Sequence, residues 1–262
     1  MRNLIMLFLL LGFLSISSCS SSDEDQNTTG RTYEDIEADF LALELNAGIN
    51  DVTLNNANGD PWTFRIIMPA DASETNKRPL VITLHGASGW NPNAHKSTAC
   101  YAEPGFEALD AIIISPNGLN MQWWEPYNQD MILSLVKLAS ENLPVDASKI
   151  VVNGYSDGGN ASWYYAEVWD QYFSAGIPMA SSYNTYNTNG QPRKIDTPLY
   201  VIHGEDDELF PLEQTREWVE ATREAGTDIT FEIAPGLEHD EPCEYVPYLE
   251  HASEWLMNEV WN

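Results

Sequence analysis

The chain of 262 residues carries 40 acidic and only 12 basic side chains, for a net charge of −28. Such a surface repels polyanions and anionic bilayers, which excludes nucleic acid as a partner and makes a strongly anionic polymer a poor substrate. Lys and Arg are too sparse to build a local basic patch. Residues 32–262 suit one α/β domain, without internal repeat or long linker.

The chain opens Met1-Arg2-Asn3, continues with an apolar run over residues 4–14, and reaches Ser15-Ile16-Ser17-Ser18-Cys19. That run is too short for a bilayer-spanning helix and suits a signal-peptide core. Ile16-Ser17-Ser18-Cys19 resembles a bacterial lipoprotein signal. The resemblance implies removal of residues 1–18 and acylation of Cys19, with palmitate among the chains. The alternative is an ordinary signal peptide with a chance cysteine. Several acyl chains would anchor the protein stably, where one gives only marginal binding. Residues 19–31, rich in Ser, Asp and Glu, read as a hydrated tether. The serine and acidic run also resembles the surface-export signal of Bacteroidota lipoproteins, which implies the outer face of the outer membrane. Contact with the membrane is expected through the anchor only.

Residues 33–45 fit either a short helix or an extended arm. Strands are predicted at 51–54 and 62–68, and these two are expected to pair antiparallel at one sheet edge. A third, at 80–85, is fully apolar and runs into His85-Gly86-Ala87-Ser88-Gly89-Trp90. His85 reads as structural, fixing the shape of the loop after it by hydrogen bonding. A strand at 111–115 and a helix at 127–141 follow. The strand at 149–153 then leads into Gly154-Tyr155-Ser156-Asp157-Gly158-Gly159 and a helix at 157–169. Strand, G-x-S-x-G and helix together are the sequence form of a nucleophile elbow. Glycine two residues either side of the serine removes the Cβ atoms that so tight a turn would bring into collision. The serine then stands at a helix N-terminus, whose N–H groups face developing negative charge. This arrangement predicts acyl transfer through a covalent ester. The alternative is a glycine-rich turn with a solvated serine.

Residues 172–197 are too few for a long lid. The strand at 199–203 again ends in His-Gly and is followed by Glu205-Asp206-Asp207-Glu208. One of these carboxylates suits a triad acid at the C-terminal edge of the sheet. The alternatives are a solvated acidic turn or a weak calcium site, although calcium needs six or more oxygens from several places. A helix at 212–224, a strand at 230–234, a loop carrying His239 and a helix at 248–260 complete the chain. Alternation of this kind gives a mostly parallel sheet with helices on both faces.

The order Ser156, acid, His239 and the motifs around them resemble the α/β-hydrolase superfamily. Over residues 65–261 the chain is most similar to the branch of secreted esterases related to polyhydroxybutyrate depolymerases, feruloyl and acetylxylan esterases, dienelactone hydrolases and phospholipase/carboxylesterases. His85 to Gly89 match the H-G-x-x-G loop of that branch, and Val145-Asp146 through Gly159 match its V-D…G-x-S-x-G-G stretch. Asp207 takes the aspartate of H-G-x-x-D-x-x-V-P, and Gly236 to His239 match G-x-x-H. Asp157 and Phe210 depart from the usual residues at their positions. The resemblance implies an α/β-hydrolase fold with Ser156 as nucleophile, His239 as base and Asp207 as orienting acid. The oxyanion donors would be the N–H groups of Asp157 and Ala87, with Ser88 the neighbouring candidate. It implies a serine carboxylic ester hydrolase acting on acetylated or feruloylated polysaccharide or other small-acyl esters, with no metal or organic cofactor.

Trp90, Trp123 and Trp124 are the better candidates for the substrate cleft among the aromatics nearby, which include Tyr101, Tyr127 and Tyr155; large aromatics more often pack. Asn117 and Gly118, in a turn after a strand, could also line it. Cys100 and Cys243 both fall near the expected active-site edge, and an exported compartment permits a bridge between them; two free buried thiols are the alternative. Two other functions use the same scaffold. A peptidase of the prolyl-oligopeptidase type normally adds a propeller domain, which has no room here. A non-catalytic glycan-binding lipoprotein would not retain a full triad and both glycine loops.

Overall fold

The computed structural model describes residues 30–262. The signal sequence over residues 1–18, the lipidation of Cys19 and nearly all of the tether lie outside them. No described helix is long and apolar enough to cross a membrane.

Among the described residues eight strands form one sheet: β1 (Gly48–Asn55), β2 (Pro61–Met68), β3 (Arg78–Leu84), β4 (Ile112–Pro116), β5 (Val145–Tyr155), β6 (Ala175–Met179), β7 (Leu199–Gly204) and β8 (Ile229–Ala234). Their spatial order is β1-β2-β4-β3-β5-β6-β7-β8. The first two are antiparallel at one edge, as the sequence predicts, and β2 also meets β4 antiparallel. Every other pairing is parallel. Among the described residues six α-helices cover the sheet: α1 (Tyr33–Leu41), α2 (Ala99–Gly105), α3 (Pro126–Asn142), α4 (Asp157–Val168), α5 (Leu212–Glu224) and α6 (Val246–Trp255).

Strand alternation sorts the core into two faces. On one face Leu80, Ile82 and Leu84 of β3 join Ile112, Ile114 and Val152 against α1, α3 and α4. Toward the far edge Leu199 and Val201 continue that face against Trp163 of α4 and Val219 of α5. On the other face Val81, Ile113, Val151 and Ile202 pack with Tyr101 and Phe106 around α2 and with Leu249, Ala252 and Leu256 at the C-terminal helix. Sheet residues buried on both faces are near-continuously apolar, the signature of a covered parallel sheet.

The structure adds two elements to the sequence reading and resolves a third. Residues 33–41 are helical, held by a capping box in which Thr32 and Asp35 satisfy each other's backbone N–H. Helix α2 and strand β6 are absent from the predicted elements. The sequence of β6, Ala-Gly-Ile-Pro-Met, has a single β-branched residue, Ile177, set between a glycine and a proline, which are poor strand formers. A Cβ on its Gly176 would lie 2.8 Å from Leu199 Cδ2 and 3.0 Å from Ala166 Cβ, so close packing on both sides dictates the small residue.

Candidate active site

Strand β5 delivers Ser156 to the sheet's C-terminal edge, where α4 begins. Ser156 has φ +57° and ψ −118°, a region that a side chain occupies only when its surroundings impose it. Two glycines make the turn possible. A Cβ on Gly154 would stand 2.2 Å from the Gly158 carbonyl oxygen, and one on Gly158 would stand 2.0 Å from the Leu84 carbonyl oxygen. The Ser156 N–H donates to the Met179 carbonyl at 3.1 Å, so β6 braces the elbow.

The structure brings Ser156, His239 and Asp207 together although they are far apart in the chain. Ser156 Oγ lies 3.0 Å from His239 Nε2, and His239 Nδ1 lies 2.8 Å from Asp207 Oδ2. All three side chains are buried. With Asp207 accepting from Nδ1–H, Nε2 is left as the acceptor for the serine proton. The other Asp207 oxygen accepts the Phe210 N–H at 2.7 Å. Burial alone would raise the Asp207 carboxyl. Hydrogen bonds from His239 and the Phe210 N–H, with attraction to His239 and His203, outweigh it and hold that carboxyl below the usual carboxylate range. Phe210 also sets its ring edge-on to the imidazole, with centroids 4.9 Å apart. Glu205 takes a different part, accepting the Gly236 N–H at 3.2 Å, while Asp206 and Glu208 are exposed.

Both His-Gly strand ends use the histidine as a loop brace. His85 Nε2 accepts the Gly118 N–H at 3.0 Å, which leaves Nδ1–H to donate to the Gly86 carbonyl at 2.6 Å. Burial pushes His85 down to about 4, so the ring stays neutral and keeps this pairing. His203 Nε2 donates to the Phe210 carbonyl at 2.7 Å, across the loop that carries Asp207. Reading from sequence assigns no role to His203. The recurrence of His-Gly after two apolar strands was the available signal.

Ala87 and Asp157 line the same small cavity of about 40 Å³, together with His85, Gly86, Ser88 and the loop over residues 119–123. The Asp157 N–H is one of the orphan donors of the first turn of α4. Neither it nor the Ala87 N–H has a carbonyl acceptor in the turns and loops of the described residues. The Asp157 carboxyl is raised by burial, against an opposing attraction to His239.

The cleft aromatics divide. Trp90 is exposed on the loop after Gly89, with 70 % of its surface free. Trp123 is buried, donates from Nε1 to the His85 carbonyl at 3.1 Å and packs edge-on against the His85 ring. It supports the loop that carries Ala87 and borders the small cavity shared by Ala87 and Asp157, with 2 % of its surface free. Trp124 is partly exposed and packs beside Tyr164 of α4. Tyr101 is buried beneath the site, and Tyr127 borders a separate cavity of about 320 Å³ with Asn117 and Leu119. Asn117 and Gly118 hold the adjoining loops through Asn91 and His85. A larger cavity of about 450 Å³ opens beside His239, lined by Asp206, Glu208, Leu209, Glu238 and Asp240. Cys100 and Cys243 form a disulfide that joins α2 to the segment just beyond His239.

The model of the dienelactone hydrolase family matches residues 65–260. A probable feruloyl esterase C of Aspergillus niger is 27 % identical over 166 residues, which cover 61 % of this chain and 59 % of that protein. The feruloyl esterase C of Emericella nidulans is 26 % identical over the same span. The chain thus spans 59 % of the length of the curated relatives it matches. Among solved structures, a thermostable esterase superimposes with a TM-score of 0.65 at 22 % identity, covering 80 % of this chain and 62 % of that one. The fluorophosphonate-binding serine hydrolase F of Staphylococcus aureus superimposes with a TM-score of 0.67 at 16 % identity, covering 82 % and 100 %. The fold is theirs.

Proposed function

The chain belongs to the dienelactone hydrolase family, and from that premise we propose that it is a serine carboxylic ester hydrolase working through an acyl-enzyme. The observation that carries this reading is the buried hydrogen-bonded series from Ser156 Oγ through His239 to Asp207, with Ser156 on a strained turn. Ser156 attacks the ester carbonyl while His239 Nε2 takes its proton. The oxyanion forms against the N–H groups of Asp157 and Ala87, each such donor contributing about 2.7–4 kcal/mol to the transition state. The imidazolium, stabilised by Asp207, then protonates the departing alcohol. Water, activated by the same histidine, releases the acid and restores Ser156.

The ester we propose is small-acyl or feruloyl, carried on a neutral polysaccharide. Likeness to the feruloyl esterases supports this, as does the carboxyl-lined cavity beside His239, which is lined by no Lys or Arg and disfavours an anionic alcohol. We further propose a lipid anchor at Cys19 and residence on the outer face of the outer membrane. Palmitate labelling lost in Cys19→Ala would support the anchor, and protection from protease added to intact cells would refute the surface assignment.

The test uses p-nitrophenyl acetate, butyrate and octanoate with methyl ferulate, beside Ser156→Ala. Turnover should fall at least ~10⁴-fold in the variant. Equal rates in both proteins would remove Ser156 as nucleophile.

A further inference from the structure

We propose that Tyr155 is a positioning residue whose phenol holds the main chain of His239 and so couples the base to the nucleophile elbow. The inference rests on the ester-hydrolase reading of the site. Tyr155 Oη donates to the His239 carbonyl oxygen. Among the described residues this is the one hydrogen bond made by the His239 main chain. Its neighbours are anchored differently. The Leu237 carbonyl accepts the Asp206 N–H at 3.0 Å, and the Glu238 N–H donates to Glu241 Oε2 at 2.8 Å. The imidazole itself is restrained by Ser156 and Asp207, which act on the ring only.

The position of Tyr155 in the chain gives this contact its consequence. It directly precedes Ser156, so one peptide link separates the group that holds the base from the nucleophile. The ring contributes as well, with its centroid 5.5 Å from that of His239. A Cβ on Gly86 would come within 3.2 Å of both Tyr155 Cδ1 and Ser156 Cβ, so the same ring backs the oxyanion loop. Three parts of the machinery therefore meet at one side chain. Tyr101 and Tyr245 flank it at 6.4 and 6.3 Å. They stand one residue after Cys100 and two after Cys243, so the disulfide draws together the two segments that clasp the ring. Burial raises the Tyr155 phenol and keeps it a donor. A displaced base is costly because proton transfer requires near-attack geometry, and about 1 Å of misplacement can cost ~100-fold.

Tyr155→Phe keeps the ring and deletes the hydroxyl. With p-nitrophenyl acetate the expected result is a kcat lower by roughly 10- to 100-fold, with KM within about twofold and an unchanged melting temperature. The rate of Ser156 labelling by a fluorophosphonate should fall in parallel, and the far-downfield His239 Nδ1 proton should broaden in the NMR spectrum. A kcat and labelling rate within twofold of the parent would overturn the proposal. If Tyr155→Phe fails to fold, Tyr155→4-aminophenylalanine decides, since it retains ring and donor: parental kcat supports the proposal and lost kcat overturns it. A parent that labels but turns over no ester refutes the ester reading and leaves the labelling rate to judge Tyr155. A parent that does neither refutes both.

Discussion

Asp207 is one of four consecutive carboxylates, and a single rotamer relation distinguishes it. Only Asp207 is buried and faces His239 Nδ1. Asp207→Asn preserves shape but presents the wrong hydrogen-bonding group, so the imidazole loses its tautomer. We expect kcat on p-nitrophenyl acetate to fall by roughly 10³- to 10⁴-fold, with Glu208→Gln within about threefold of the parent. A comparable loss in Glu208→Gln would move the acid. Ser156 was legible in the sequence because its turn is sterically demanding and only glycine meets the demand at Gly154 and Gly158. Trp123 was not. An indole beside the active site reads the same whether it lines a cleft or braces a loop, and the difference lies in where its N–H finds an acceptor.

At the level of elements, the disulfide is a long-range covalent constraint near the site. It joins residues 143 positions apart in sequence and fastens the segment after His239 to α2. Chain-entropy arguments assign such a crosslink about 5 kcal/mol, and native bridges typically contribute about 2–5 kcal/mol. The double variant Cys100→Ser/Cys243→Ser is expected to lose stability in that range by urea unfolding and to lose kcat more than KM. Unchanged stability would mean the tyrosine cluster beneath holds without it. Helix α2 is short and contains Pro104, and β6 contains Gly176 and Pro178. Neither advertises itself by propensity. Tertiary packing overrides propensity at both.

For the molecule as a whole, the pH dependence of stability follows from its buried histidines. Burial lowers His85 to about 4, and it lowers His95 and His203 as well. Unfolded, each would titrate near 6.5. Between those values the unfolded chain binds protons that the folded chain refuses, so stability is lost as pH falls through this window. His85 alone accounts for on the order of 2 kcal/mol between pH 7 and 5. Urea midpoints should decline from pH 7 to 5, and a flat or rising profile would contradict the neutral buried histidines.

Sequence alone determined the α/β alternation, the antiparallel edge and the glycine-bounded turn that carries Ser156, and it pointed to His239 as its partner. Each of these rests on a local rule: alternation of apolar runs, the glycines a tight turn requires, the loop that ends a strand. The tertiary structure decided which carboxylate meets the imidazole, that Cys100 meets Cys243, that Trp123 turns inward and that Tyr155 reaches the His239 carbonyl. Those outcomes depend on the distance between segments that lie from 32 to 143 residues apart. Such distances are set by how the strands stack side by side; a motif can nominate a residue such as Asp207, but the contact itself is made by the packing.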